Sequence, residues 1–266
     1  MGYYDMAIDE LRSHKVEKYG WIPDLPDARD HMYAVPRATM MSLPPKVDMR
    51  PQCAPVYDQG QLGSCTGNAI AAAVQFDRSK QSLKPDFVPS RLFIYYNERA
   101  IEHTVGQDAG AMIRDGIKSV AKLGACPEPE WPYHIEAFAE KPSAKAYKDA
   151  LRYTAISYAR LVQSTSQMKG CLASGYPFVF GFSVYDSFES EAVAKSGEVP
   201  MPQPSEQLLG GHAVLAVGYD DSRQRFIVRN SWGADWGAAG YFTMPYAYLT
   251  DGNLADDFWT IRLIAG

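Results

Sequence analysis

The sequence predicts an α+β protein of two lobes with a cleft between them, and three observations carry that prediction. Helical periodicity is concentrated between about residues 65 and 150, and short apolar strand signals between residues 155 and 264. The chain's 266 residues, 46% hydrophobic and 21% charged, describe a globular protein able to bury a sizeable core. The expected division is a strap over residues 1–44 and a domain over 45–266. Within that domain the helical lobe spans about 55–150 and the β lobe about 151–266.

Residues 1–20 contain an amphipathic pattern, with Met6, Leu11 and Val16 among acids and bases. Residues 21–55 then carry Pro23, Pro26, Pro36, Pro44, Pro45, Pro51 and Pro55, so extended or turning chain is expected there rather than helix. Trp21, Ile22, Leu25, Met32, Tyr33, Met40 and Met41 make this stretch too apolar for a solvated linker, and it is expected to lie against the domain. The run CTGNAIAAAVQF, Cys65–Phe76, is nearly apolar on all sides and crowded with small residues, the signature of a buried central helix. A second helix follows over Pro89–Glu102, and a third over Ala111–Lys122, closed by Leu123-Gly124. Ser143–Leu151 and Ser166–Ser174 read as short helices. Strands are expected over Ala155–Leu161, Pro177–Val184, His212–Tyr219, Arg225–Arg229, Gly240–Met244 and Phe258–Ile264. Their close spacing and Gly, Asp and Asn turns indicate an antiparallel sheet closed in a barrel-like way.

The formal charge of −5, with no dense Lys/Arg run, argues against a nucleic-acid partner. No apolar stretch approaches the roughly 18 residues needed to span a bilayer, so no membrane partner is expected. The opening MGYYDMAIDELRSHK has neither the basic start nor the apolar core of a signal peptide, and localisation stays open. Four cysteines, at 53, 65, 126 and 171, are too few and too scattered for a disulfide scaffold, and no C-x-x-C pair suggests zinc. Cys53 and Cys126 both lie in Pro-containing loops, and spacing does not decide whether they pair.

Cys65 is the centre of the chemistry. A thiol at the first turn of a helix meets the positive end of the macrodipole, which favours the nucleophilic thiolate. Alone, it reads as an inert core thiol as readily as a nucleophile. Its partners decide the matter. His212 opens a strand after Gly210-Gly211, and Asn230 ends the next strand in the run Asn-Ser-Trp-Gly. An imidazole can take the thiol proton and return it to a leaving amine. A neutral amide oxygen can fix the imidazole's tautomer and plane. His14, His31, His103 and His134 have no such company and are read as surface or packing residues.

These segments resemble those of papain-like cysteine peptidases, bacterial branch included. The match lies in Gln59-Gly60 with Gly63-Ser64-Cys65, in His212-Ala213-Val214 through Tyr219, and in Asn230-Ser231-Trp232-Gly233 with Trp236-Gly237. His212 lies 147 residues after Cys65, inside the family's spacing of roughly 130–150, and Asn230 lies 165 after it. The resemblance implies a two-lobed papain-like fold with the site in the cleft. It implies Cys65 as nucleophile, His212 as acid and base, Asn230 as its orienter, and Gln59 as oxyanion donor beside the Cys65 N–H. It implies that Trp232 shields the Asn–His bond, and that Gly63, Ser64 and the turn Asp108-Ala109-Gly110 meet substrate. Protein or peptide substrates are then expected, with no metal or organic cofactor and a monomeric state.

Three departures stand out. Leu62 replaces the family's cysteine three before the nucleophile, Thr66 replaces the aromatic after it, and Gly211 replaces the acid before the histidine. The specificity pocket is therefore open, and small residues at Gly181, Gly211 and Ala213 would suit a large apolar side chain. Residues 1–44 sit where a propeptide would, and intramolecular inhibition by that segment stands beside a merely stabilising arm. An acyl or amide transferase and a catalytically silent binding module remain the alternatives to a peptidase.

Overall fold

The computed structural model describes residues 18–265. In chain order these form β1 (Met32–Tyr33), α1 (Arg37–Met41), β2 (Lys46–Asp48), α2 (Cys65–Lys80), α3 (Arg91–Ile101), α4 (Ile113–Leu123), α5 (Ala144–Ala150), β3 (Ala155–Leu161) and α6 (Thr165–Ala173). There follow β4 (Phe178–Tyr185), α7 (Glu191–Ser196), β5 (Leu208–Asp220), β6 (Arg225–Arg229), β7 (Tyr241–Pro245), α8 (Tyr246–Thr250) and β8 (Ala255–Ile264). The expected helix of residues 1–20 falls outside the described residues except at its last three positions, which are not helical.

Helix α2 is buried from Cys65 through Arg78, as its small apolar residues require. Gly67 lets α3 approach it closely, since a Cβ there would lie 2.8 Å from the Arg91 carbonyl oxygen. Helix α3 starts where Ser90 accepts a hydrogen bond from the Phe93 N–H, and α4 stops at Gly124, whose φ is +76°. Strand β4 carries Phe178, Phe180 and Phe182, all fully buried, and lies between β5 and β8.

The sheet order is β1-β3-β8-β4-β5-β6-β7, with β2 added beside β5. Among the described residues β7 does not pair with β1, so the sheet is open rather than barrel-like. Two causes are visible. Strand β1 has two residues and lies parallel on β3, while residues 197–199 already occupy the outer edge of β7 through Thr243.

Residues 18–44 do lie against the domain, through part of the expected set: Trp21 and Tyr33 pack on the main core, whereas Leu25, Met32 and Met41 are exposed. Buried ion pairs hold the segment as well: Arg114 meets Asp30 at 2.6 Å and Asp24 at 3.9 Å, and Arg160 reaches Asp24 at 3.8 Å and Asp30 at 3.5 Å. The Trp259 Nε1–H donates to Asp24 Oδ2 at 2.9 Å. The stretch is also not wholly extended. Pro36 caps α1, because the interval before Pro44 is long enough for one helical turn that a proline can start.

All four cysteines are free. Cys53 donates to the Met49 carbonyl and packs on the main core, whereas Cys126 is buried in a separate cluster with Phe93, Ala146 and Ala150. No helix among the described residues is long and apolar enough to cross a membrane.

Candidate active site

Cys65 is the first residue of α2 and is completely buried. The loop before it is tightly held. Asn68 Nδ2 donates to the Ser64 carbonyl at 2.9 Å, Ser64 Oγ lies 2.5 Å from the Tyr133 hydroxyl, and that hydroxyl donates to the Gln59 carbonyl at 2.9 Å. Ser64 therefore faces inward as scaffold. Asp108 does the same, accepting from the Gly63 N–H at 3.0 Å and the Tyr95 hydroxyl at 2.5 Å.

The β half reaches this loop through backbone pairing. The Gln59 N–H donates to the Ser231 carbonyl at 2.8 Å and the Gly233 N–H to the Tyr57 carbonyl at 2.9 Å. Ser231 Oγ donates to Gln59 Oε1 at 2.6 Å, and Gln59 Nε2 donates to the Leu62 carbonyl at 3.0 Å. One N–H of that amide is thus used and the other remains.

His212 lies within β5 opposite Phe182, because the strand begins at Leu208 and includes Gly210 and Gly211 rather than starting at the histidine. Asn230 follows β6 directly. His212 Nε2–H donates to Asn230 Oδ1 at 2.8 Å, which assigns the tautomer and leaves Nδ1 as the ring's acceptor. Among the described residues the buried Nδ1 has no hydrogen-bond partner. Trp232 covers the pair, its ring centroid 4.9 Å from that of His212.

The strap closes the site. Gly20 lies against the Gly63 carbonyl, and its own carbonyl accepts from the Ala111 N–H at 2.8 Å. The Trp21 N–H donates to the Gly211 carbonyl at 2.9 Å and the Ile22 N–H to the Ala111 carbonyl at 3.0 Å. The strap-binding backbone is thus Ala111, next to the expected turn of Asp108, Ala109 and Gly110. The Trp21 ring fills the space between Gly181 and Gly211, where a Cβ on either glycine would meet ring atoms at 2.0 and 2.7 Å. Ala213 is buried opposite Gly181 in the β4–β5 register. The Tyr19 ring sits edge-on to His212 at 6.5 Å, and its hydroxyl bonds Glu189.

This enclosure sets the charge state. Burial pushes the Cys65 thiol up to about 12, outweighing hydrogen bonding from the backbone of Ala213, Gly20 and Thr66. Burial likewise pulls His212 down to about 4, against the Asn230 bond. The thiolate expected from the helix N-terminus is not the favoured form under the strap: the pair is neutral. Sequence reasoning missed Glu98, which accepts from Thr66 Oγ1 at 2.6 Å and is pushed up to about 8 by burial. It also missed Asp257, which no local motif marks.

Residues 43–256 match the family described as papain family cysteine protease. An uncharacterised peptidase C1-like protein of Acanthamoeba polyphaga mimivirus is 44% identical over 92% of this chain and 86% of its own length. Cathepsin B-like CP3 of Giardia intestinalis is 32% identical over 79% and 72%. Among solved structures, xylellain, a cysteine protease from Xylella fastidiosa, is 50% identical with a TM-score of 0.89, covering 95% of this chain and 98% of that one. Digestive procathepsin L 3 of Tenebrio molitor, 21% identical, shares the fold at a TM-score of 0.66, covering 84% of this chain and 71% of that one. With the family match spanning most of its length, this chain belongs to the papain family of cysteine proteases and is a cysteine peptidase.

Proposed function

We propose that the chain is an endopeptidase acting through Cys65, His212 and Asn230, with residues 45–266 as the peptidase domain and residues 1–44 as a restraining strap. The observation that carries the reading is the 2.8 Å bond from His212 Nε2–H to Asn230 Oδ1, which keeps Nδ1 as a proton acceptor. In the open site the thiol proton passes to Nδ1 and Sγ attacks the scissile carbonyl carbon. The resulting oxyanion is stabilised by the Cys65 backbone N–H and the free N–H of Gln59 Nε2. Collapse breaks the C–N bond, and the imidazolium returns its proton to the leaving amine. Water, deprotonated by the same imidazole, then hydrolyses the thioester and frees the thiol.

Asn230 acts by holding the ring, and Trp232 keeps water from that bond. Gly63, Gly110 and Gly211 line the track now taken by residues 20–22. The restraint reading is supported by two features: Gly20 and Tyr19 cover the thiol and imidazole, and the neutral pair under them is not nucleophilic. The primary test is cleavage of a fluorogenic dipeptide amide under reducing conditions. Turnover is expected with the wild-type sequence and none with Cys65→Ala. Equal turnover by both would refute the thiol mechanism.

A further inference from the structure

Thr66, the residue after the nucleophile, ties the first turn of α2 to a carboxyl group that the mechanism does not use. Its hydroxyl donates to Glu98 Oε2 at 2.6 Å, and both side chains are completely buried. Among the described residues Glu98 Oε1 has no hydrogen-bond partner. That oxygen takes the place of a missing side chain on α4: a Cβ on Gly116 would lie 2.3 Å from Oε1 and 2.4 Å from Ile70 Cδ1. The groups facing the carboxyl do not balance a negative charge. Helix α2 contributes Cys65, α4 contributes Asp115, and α3 itself contributes Glu102 and Arg99. Arg99, the cation in this set, spends its guanidinium on the carbonyls of Tyr95, Val105, Gln107 and Phe138.

A buried carboxyl with one donor and no paired cation is favoured as the neutral acid, and burial pushes Glu98 up to about 8. The thiolate that the peptidase reading requires forms one residue from Thr66, at the same helix start. Both anions would draw on the unpaired N–H groups of a single turn, and a like charge nearby disfavours ionisation of either. A charge on Glu98 accordingly raises the thiol of Cys65. Helix α3 packs on α2 and α4 rather than on β5, so the imidazolium of His212 gains less from this charge than the thiolate loses. Neutral Glu98 leaves the turn to the sulfur, and ionised Glu98 competes for it.

We propose that Glu98 is a positioning residue of this peptidase: as a neutral acid it anchors Thr66 beside the nucleophile, and loss of its proton withdraws from the thiolate the support of the α2 N-terminus. This rests on the peptidase reading and adds to it an alkaline limit set outside the pair of Cys65 and His212.

The test compares kcat/KM for a fluorogenic dipeptide amide between about pH 6 and 9 in the full-length chain and in Glu98→Gln, which keeps an oxygen for Thr66 and cannot ionise. The ratio of variant to parent cancels the titration of His212 and of the strap, which both chains share. That ratio is expected to rise about threefold to tenfold across the range, the effect of up to about one pKa unit on the thiol. Thr66→Val removes the donor that favours the ionised form and should carry the parent's alkaline fall to higher pH. A purely structural role gives a ratio constant with pH, and that result overturns the proposal. A second measurement covers a Glu98→Gln chain that does not fold and a chain that turns over no peptide amide. With glutamate carboxyls labelled by carbon-13 in the unsubstituted chain, the resonance displaced by Thr66→Val reports Glu98. Its titration midpoint is read after Cys65 is alkylated with iodoacetamide or with iodoacetate. The midpoint is expected to lie higher with the anionic label, by roughly a few tenths of a pH unit or more, because the coupling between the two sites is reciprocal. Equal midpoints overturn the proposal. A higher midpoint without peptide turnover upholds the coupling and refutes the peptidase reading; turnover that Cys65→Ala abolishes, with a ratio constant in pH, does the reverse.

Discussion

Replacing Trp21 by alanine tests the proposed restraint at the side chain that fills the slot. The ring fills the slot between Gly181 and Gly211, and its N–H meets a buried carboxylate. Truncating a packed tryptophan costs about 3–5 kcal/mol, with the bond to Asp257 counted inside that figure. The lower end, about 3 kcal/mol, applies because Trp21 is only partly buried. At about 1.4 kcal/mol per tenfold, the population with residues 19–22 lifted off the site rises roughly a hundredfold. The ion pairs of Asp24 and Asp30 with Arg114 and Arg160 remain, so the rest of the strap stays attached. The assay is the second-order rate of Cys65 labelling by an epoxide thiol inhibitor, which follows the open population until that form dominates. A labelling rate in Trp21→Ala equal to that of the wild-type sequence would refute the reasoning, because the thiol would then already be accessible with the ring in place.

Four further outcomes follow from the same geometry. With the thiol pushed up to about 12, iodoacetamide labelling of Cys65 in the wild-type sequence should rise about tenfold per pH unit between pH 6 and 9, whereas Trp21→Ala should approach a plateau. His212, depressed to about 4, contributes docking stability that is present above its ordinary value near 6.5 and lost as pH falls toward 4; Asp257, held above its ordinary range by burial and Asp24, acts oppositely, so the acid side is read in an Asp257→Asn background. On the proposed mechanism Gln59→Glu keeps the acceptor for Ser231 Oγ but loses the oxyanion donor, along with the bond to the Leu62 carbonyl, and kcat should fall by about 10²–10³ with KM little changed. Gly181→Val should expel Trp21, since a Cβ there meets ring atoms at 2.0 Å; small-reagent labelling should rise while cleavage of peptides with a bulky slot residue falls. Unchanged labelling would place the ring elsewhere.

Much of the fold was legible because its signals are local. The small-residue run from Cys65, the Ser90 start of α3 and the Gly124 stop of α4 each lie within a few residues of what they control. The aromatic run at 178–182 declared a buried strand in the same way. Short helices such as α7 and α8, five or six residues long, carry too little periodicity to register and depend on the chain around them. Strand order and the open edge were equally hidden, because they depend on which distant segment reaches an edge first.

The sequence by itself determined which groups are present and in what order: a thiol at a helix start, an imidazole on a strand, an amide at the end of the next, and Gln59 ahead of them. The tertiary structure alone decided their state. Trp21 and Asp257 meet across 236 positions, and neither carries a local mark of the other. The thiol and imidazole are neutral because both are buried, and desolvation depends on what surrounds a group in space rather than on its neighbours in the chain.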